Sequence, residues 1–596
     1  MSQSSQFKNL VDLCNRSVER FADRRRFGTR VDGRWEWITF GAFGHEIDRF
    51  RGALEALGVG PGDSVAAISN NRVEWAVGAY ATYGRGAVYV PMYEKQLPED
   101  WEYIIADSGA KVALVANRSI ATVLTASSDR IPSLEHIVVF DADPSEPDSY
   151  GAALLTGDAN PTVAEDPDPS QLAGLIYTSG TTGRPKGVRL THGNFTSNVN
   201  AVQTLFPLRD DDCSLSFLPW AHSFGQTCEL HSLLSMGAAS AINSHVDNLI
   251  EELAEVGPTL FYSVPRVFNK IYDGLNKKMA AASPIQQAIF HAAMDNAERR
   301  RVLADAGGID LLAELKHWFF DRVVFTKVRE RLGGHLRHAF SGGAAISPEV
   351  ATFIDNIGIT VFEGYGLSET SPIATMNSPA SRRIGSVGKP IPGVEIIIDR
   401  SAVASTMGDQ GEILIKGPNV MEGYHRLEEQ TREVIREDGA FRSGDLGRVD
   451  SDGFLYITGR IKEQYKLENG KYVVPVPLEE QITLSGYISQ AMVYGDNRPY
   501  NVAVLVPDFS AVDAWGKVDG MPEDLCQNDE VRDLIAGELE KQHENVFKGF
   551  ERIKEFRLVA EEFSVENDLL TPKLSLKRRN AISKYESFLE DMYAGG

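Results

Sequence analysis

The 596-residue chain is poor in cysteine. Its four cysteines, Cys14, Cys213, Cys228 and Cys526, lack the spacing of a metal site or a disulfide framework, which fits a reducing compartment. Positive charge is in deficit too: 60 Lys and Arg stand against 83 Asp and Glu, a formal net charge of −23. A broad basic face for nucleic acid is therefore not expected. No run of about 18 apolar residues is present, so no membrane-spanning helix is expected. Met1 to Arg16 carries no apolar core of the secretory-leader type. A cytoplasmic location follows as the expectation, with peripheral membrane contact and the choice between monomer and homodimer left open. A Gly-x-Ser-x-Gly elbow is missing, which argues against a serine hydrolase of that kind. Internal repeats and low-complexity tracts are also missing.

What is present is an ordinary globular composition, 43% hydrophobic and 24% charged. The length exceeds what one core serves, so two or more domains are expected. Phe43 to Leu57 reads as an amphipathic helix ending at Gly58, Ser64 to Ser69 as a buried strand, Glu74 onward as a helix, and Gly86 to Pro91 as another strand. This β-α-β rhythm predicts an α/β fold with parallel-rich sheets flanked by helices. Residues 141–170, rich in Asp, Pro and Ser, read as an exposed connection. Residues 267–332 read as several helices broken at Ala-Ala-Ala-Ser-Pro and Ala-Gly-Gly, expected as a structural insertion. The composition shifts after Gly459-Arg460. The expected division is a large part, 1–458, and a small α+β lid, 459–596.

The most informative stretch is Tyr177-Thr178-Ser179-Gly180-Thr181-Thr182-Gly183-Arg184-Pro185-Lys186-Gly187, directly after the apolar run Leu172 to Ile176. Glycines let backbone N–H groups approach phosphate oxygens, hydroxyls add donors, and Lys186 adds a point charge. The loop is not the common nucleoside-triphosphate loop, because Lys186 sits between Pro185 and Gly187 and cannot head a helix. Downstream, Ser341-Gly342-Gly343-Ala344 offers small residues against which a flat purine could lie. Glu363-Gly364-Tyr365-Gly366-Leu367-Ser368-Glu369-Thr370 adds a ring able to stack on a base and a carboxylate able to hold Mg2+. Asp445, in Arg442-Ser443-Gly444-Asp445, could accept both hydroxyls of a ribose. His222, in Pro219-Trp220-Ala221-His222-Ser223-Phe224, sits among aromatics, where a lone histidine is usually structural. By composition alone Arg460 and Lys462 look like ordinary surface charges.

Taken in this order, the motifs resemble those of the adenylate-forming superfamily: acyl-CoA synthetases, luciferases and peptide-synthetase adenylation domains. The resemblance spans about residues 20–590. It is greatest to long-chain fatty-acyl-CoA synthetases, through Tyr262 to Phe268, Lys327 to Gly333 and Tyr465 to Pro475. It implies an AMP-forming fatty acid:CoA ligase using ATP, Mg2+ and CoA, and a fatty acid partner. It implies phosphate contacts from Thr178, Ser179, Gly180, Thr181, Thr182, Gly183 and Lys186, and metal contacts from Thr178 and Glu369. The nucleoside would meet Gly342, Gly343, Ala344, Glu363, Gly364, Tyr365 and Ser368, with Asp445 and Arg460 on the ribose. His222 would lie beside the acyl carboxylate. Lys462 would mark the hinge about which the small domain turns between half-reactions, and Lys466 would belong to the same nucleotide-binding set.

One position departs from the pattern. The family carries a catalytic lysine near its C-terminus, and Ser575 stands there in Leu570-Thr571-Pro572-Lys573-Leu574-Ser575-Leu576-Lys577. Lys573 and Lys577 flank it, each about 7 Å away along an extended strand; the expectation is that one of them substitutes or that the first half-reaction is slow. Two other functions stay open. One is transfer of the acyl group to a carrier protein. The other is a homologue that binds acyl groups or nucleotides but has lost the chemistry.

Overall fold

The computed structural model describes residues 6–178, 184–305, 307–402, 408–518, 520–544, 547–571 and 576–594. Two large sheets form the bulk of the chain. The first has seven strands, with Val88–Met92, Ser64–Ile68, Ala110–Val115 and His136–Val139 parallel at its centre and flank. All five residues of Ser64–Ile68 and of Val88–Met92 are buried, as expected of parallel strands covered on both faces by helices. The second sheet has nine strands. Its parallel core runs through Thr360–Gly366, His338–Ser341, Leu260–Ser263, Cys213–Ser216 and Ala239–Ile242. The parallel-rich α/β architecture is the one expected from the β-α-β rhythm.

One edge of the nine-stranded sheet was not anticipated. Arg25–Val31 and Arg34–Thr39 form an antiparallel hairpin that joins this sheet through Ala239–Ile242. Asp32 and Gly33 both have positive φ, 46° and 75°, the backbone that an Asp-Gly hairpin turn requires. The arginines in both strands hide the apolar alternation by which strands are ordinarily recognised. The helical reading of 267–332 holds. Helices Pro265–Ala280, Pro284–Asp305 and Leu311–Phe320 occupy it, with breaks at the two anticipated places.

Glu395–Asp399, Gly411–Lys416, Phe441–Val449 and Leu455–Arg460 build a four-stranded antiparallel sheet. Beyond it the chain forms a two-stranded ribbon, Tyr465–Lys466 with Tyr472–Val473, and a three-stranded sheet of Ile488–Tyr494, Asn501–Pro507 and Ile553–Leu558 packed with helices. Among the described residues no sheet contains strands from both sides of residue 461. Among the described residues no helix is long and apolar enough to cross a membrane.

A buried ion pair helps hold the last helices to this C-terminal unit, beside an apolar cluster of Ala581, Tyr585, Leu589 and Met592. Arg578 donates through Nη1 and Nη2 to Glu479, at 2.7 Å each, and Nη1 also reaches the carbonyl of Val493 at 3.0 Å. Both side chains are largely buried, so removing one partner strands the other charge. Arg578→Ala is expected to destabilise the C-terminal unit by about 3 kcal/mol, read as an earlier C-terminal transition in calorimetry. An unchanged transition would rule that role out.

Two buried glutamates make stability depend on pH. Glu229 accepts hydrogen bonds from the Ser214 and Ser216 hydroxyls, both at 2.6 Å, and Glu363 from the backbone N–H of Ile346 and Gly385. Burial pushes each carboxyl up to about 7. The folded chain thus keeps protons that the unfolded chain has already lost. Their stabilising contribution is complete below the ordinary glutamate range and disappears as pH rises through about 7. The urea midpoint is expected to fall as pH rises from about 5 to about 7, and Glu229→Gln to flatten that slope. A midpoint that climbs over this interval would contradict the assignment.

Candidate functional site

The loop hairpin organises the site. Leu172–Thr178 enters the loop and Lys186–Thr191 leaves it, paired antiparallel so that Thr178 lies opposite Lys186. Ser179, Gly180, Thr181, Thr182 and Gly183 lie outside the described residues. The exit strand ends at Thr191, which caps the following helix in a reciprocal box with Asn194. Asn194 then donates through its amide to the carbonyls of Pro418 and Val420, at 2.8 and 3.0 Å. This tether delivers the short strand Gly423–Tyr424 to the outer edge of the exit strand, with Tyr424 opposite Val188.

Tyr424 thereby joins two motifs that are far apart in sequence. The Lys186 ammonium lies 4.9 Å from the centre of its ring, a cation–π contact. Its hydroxyl donates to Oε1 of Glu369 at 2.9 Å. The backbone N–H of Met421 donates to the carbonyl of Glu369 at 2.9 Å, fixing that turn from the same segment. Lys186 is pushed below its ordinary value, first by burial and then by the ammonium of Lys462, while Glu369 and Glu433 act the other way. Two ammonium groups kept this close repel each other, and an anion between them would relieve the repulsion.

A second grip lies beside the first. Tyr365 ends the strand Thr360–Gly366, and its hydroxyl donates to Oδ2 of Asp445 at 2.7 Å. Arg460 faces Asp445 across the strand pair, and its Nε stands 3.0 Å from Oδ1. The Asp445 side chain is only 6% exposed. Burial raises its pKa above the ordinary aspartate value, against the opposing pull of Arg460 and the hydrogen bond from Tyr365. A carboxylate offers about four lone-pair positions, so two remain for hydroxyls of a ligand. Glu369 acts electrostatically on Lys186, Asp445 and Arg460 alike, which places the two grips side by side.

The small-residue shelf closes the third side. Gly343 has φ +85°, and a Cβ on Gly342 would lie 3.2 Å from the Phe224 ring. Gly343 and Ala344 are exposed. Glu363 sits beneath, bonded to the backbone of Ile346 and Gly385, so its carboxyl supports the shelf. Gly364 pairs with Met376, and a Cβ added to it would lie 3.3 Å from the carbonyl of Thr375. The Ser368 hydroxyl meets that of Ser223 at 3.2 Å, bringing the His222 segment to the same place. His222 is half-buried and accepts the Phe224 N–H on Nδ1 at 3.2 Å.

Of the residues singled out in the sequence, Thr178, Lys186, Glu369, Tyr365, Ser368, Gly342, Gly343, Ala344, His222, Asp445, Arg460 and Lys462 converge here. Lys466 does not join them through any described contact; its ammonium lies 5.8 Å from the Tyr472 ring on the exposed ribbon. Lys577 is ion-paired with Asp568 and acts electrostatically on Asp100. Lys573 and Ser575 lie outside the described residues. Tyr424 was missed. It lies 55 residues beyond Glu369, and no spacing in the sequence announces that a two-residue strand will return to the loop.

The AMP-binding enzyme profile matches residues 14–425, and the profile of the AMP-binding enzyme C-terminal domain matches 462–596. The chain belongs to the AMP-binding enzyme family. Long-chain-fatty-acid–CoA ligase FadD15 of Mycobacterium tuberculosis is 36% identical to this AMP-binding enzyme, over 94% of the chain and 93% of the relative. The peroxisomal long chain acyl-CoA synthetase 7 of Arabidopsis thaliana is 31% identical, over 97% and 85%. In structure, the adenylation domain of a Mycobacterium chelonae carboxylate reductase superposes with a TM-score of 0.81 at 23% identity, over 100% of this chain and 92% of that one. The adenylation domain of a Segniliparus rugosus carboxylic acid reductase, in complex with AMP and a co-purified carboxylic acid, gives 0.77 at 21%, over 100% and 95%. At such identities these structures speak for the fold alone, a large body with a small C-terminal domain.

Among the described residues of this AMP-binding enzyme, no group of three or more His, Cys, Asp or Glu side chains could hold a metal by itself. The Tyr365 hydroxyl is one of two donors to a buried carboxylate among the described residues. Tyr365→Phe is therefore expected to weaken AMP binding about five-fold, measured by isothermal titration. Unaltered affinity would mean that Arg460 alone sets the geometry of Asp445.

Proposed function

We propose that this AMP-binding enzyme is a long-chain fatty acid:CoA ligase. In the first step a carboxylate oxygen of the acid attacks the α-phosphorus of ATP, and the bond to the β-phosphate oxygen breaks to release pyrophosphate. In the second step the CoA thiol loses its proton, the sulfur attacks the acyl carbon, and the bond to the AMP oxygen breaks. The observation that carries the reading is the pair of grips: Tyr365 and Arg460 on Asp445, beside Lys186 and Lys462. The first suits a ribose and the second a polyphosphate. The long-chain substrate is supported by the names of relatives that match nearly the whole chain at 36% and 31% identity.

The main obstacle to the first step is repulsion between two anions, carboxylate and triphosphate. Lys186, held by Tyr424 rather than left to swing in water, supplies fixed positive charge where the pyrophosphate develops. Glu369 has one oxygen on Tyr424, which leaves the other for a cation that phosphates would complete; Thr178 adds a hydroxyl. That donor set suits Mg2+, which binds through one or two carboxylates plus substrate phosphates and offsets their charge. Asp445 and Arg460 orient the ribose, and the shelf Gly342-Gly343-Ala344 leaves room for the base. His222 lies where the acid's carboxylate would approach. Residues 459–596 turn as one body about Lys462 to admit CoA, and closure keeps water from the mixed anhydride.

Pairing of Lys577 with Asp568 leaves Lys573 as the substitute for the missing lysine at Ser575. Lys573→Ala is expected to slow fatty-acid-dependent pyrophosphate release by about 10² to 10³, Lys577→Ala to have little effect, and Ser575→Lys to speed release. Equal rates in all three variants would remove Lys573 from the first step. The reaction itself is tested with ATP, Mg2+, CoA and saturated fatty acids of increasing length. Acyl-CoA, AMP and pyrophosphate are expected in equal amounts. AMP binding without pyrophosphate release, or pyrophosphate release without acyl-CoA, would overturn the proposal.

A further inference from the structure

Helix Leu311–Phe320 is built the wrong way round for a helix of a soluble domain. Its inward side is thin: Ala313 is buried, its carbonyl accepts from the Asn296 amide at 3.1 Å, and His317 packs near Phe325. Its large apolar residues face away. Leu311 is 82% exposed, Leu315 and Trp318 are 66% exposed, and Leu312 and Phe319 are more than half exposed. At 3.6 residues per turn these five positions fall within an arc of about 120°. Ile309, just before the helix, extends the patch at 82% exposure. A soluble amphipathic helix turns such a stripe inward, and a contiguous exposed one of this size marks an interaction site.

The charges around the stripe indicate what covers it. The acidic residues of the helix are neutralised from within: Asp310 pairs with Arg299 and caps the helix, and Glu314 pairs with Arg300 through both oxygens, at 2.7 and 2.8 Å. Lys316 and Arg322 flank the stripe, are exposed, and have no carboxylate partner among the described residues. In the wider insertion, residues 267–332, eleven Lys and Arg stand against eight Asp and Glu, while the whole chain carries −23. A cluster of exposed apolar side chains thus sits on a locally positive segment of an acidic protein. A second copy of so acidic a chain is a poor match. An anionic lipid surface matches both features, and the helix is too short to span a bilayer.

We propose that helix Leu311–Phe320 lies in the interface of an anionic membrane, with Leu311, Leu315, Trp318 and Phe319 among the headgroups and Lys316 and Arg322 on the lipid phosphates. The surface stands on exposure and charge, and does not require that the chain act on fatty acids. It also fits that reading. The same insertion contributes Phe268 and Ile271 to the wall of a small closed apolar cavity that reaches Phe261 of the nine-stranded sheet.

The test is co-sedimentation of the full chain with large unilamellar vesicles of phosphatidylcholine, with and without phosphatidylglycerol. The wild type is expected to bind the anionic vesicles and to bind the neutral ones more weakly. Leu315→Ser/Trp318→Ser should reduce the partition coefficient by about ten-fold or more. Lys316→Glu/Arg322→Glu should abolish the preference for anionic lipid. Both variants should keep the wild-type melting temperature and AMP affinity, since none of these side chains touches the site. Wild type that stays in the supernatant, or a Leu315→Ser/Trp318→Ser variant that binds as well as wild type, overturns the proposal. So does a wild type that is dimeric without vesicles and becomes monomeric in that variant, because the stripe would then be covered by a second copy.

Discussion

A single carboxylate, Asp445, ties the parts of the molecule together. It is almost wholly removed from water, a costly state for an ionised group unless donors compensate it. The two donors come from different places. Tyr365 ends a strand of the nine-stranded sheet, and Arg460 ends the last strand before the C-terminal unit. Satisfying one buried charge therefore sets the position of the four-stranded sheet against the body. It also sets the point from which the C-terminal unit departs. The same requirement leaves Asp445 with unused lone pairs facing the space beside Lys186, where a nucleoside is proposed to sit.

The rest of the site is built by strand returns. The hairpin carrying the loop places Lys186 at a fixed height, and the short strand Gly423–Tyr424 locks it there through its ring. Charge that is already oriented does not have to be reorganised during a reaction, which is why such locking matters more than the count of positive groups. Lys462 approaches from the far side of the hinge, so the electrostatics of the loop depend on where the C-terminal unit stands. Rotation of that unit would change the charge around Lys186 and reshape the entrance in the same motion.

The motifs were legible because their chemistry is local. Glycines and hydroxyls crowd one loop, an aromatic precedes a carboxylate by four residues, and an aspartate sits in a glycine turn. The helical insertion and its breaks were also legible, since Pro and Gly punctuate helices wherever they occur. The first hairpin was not, because arginines interrupt its alternation; its Asp-Gly turn was the signal available. Tyr424 had no signal at all. Lys577 looked equivalent to Lys573 in the sequence, and its pairing with Asp568 came from the structure.

The sequence alone determined the family, the α/β class and the residue types that face a nucleotide, because these follow from short motifs whose spacing the chemistry demands. Only the tertiary structure decided that Tyr424 holds Lys186 and Glu369, that Tyr365 and Arg460 share Asp445, and that Leu311–Phe320 turns its apolar face outward. Each of these depends on which strand edge or helix face meets which neighbour. Long-range packing settles that, and no window of sequence contains both partners.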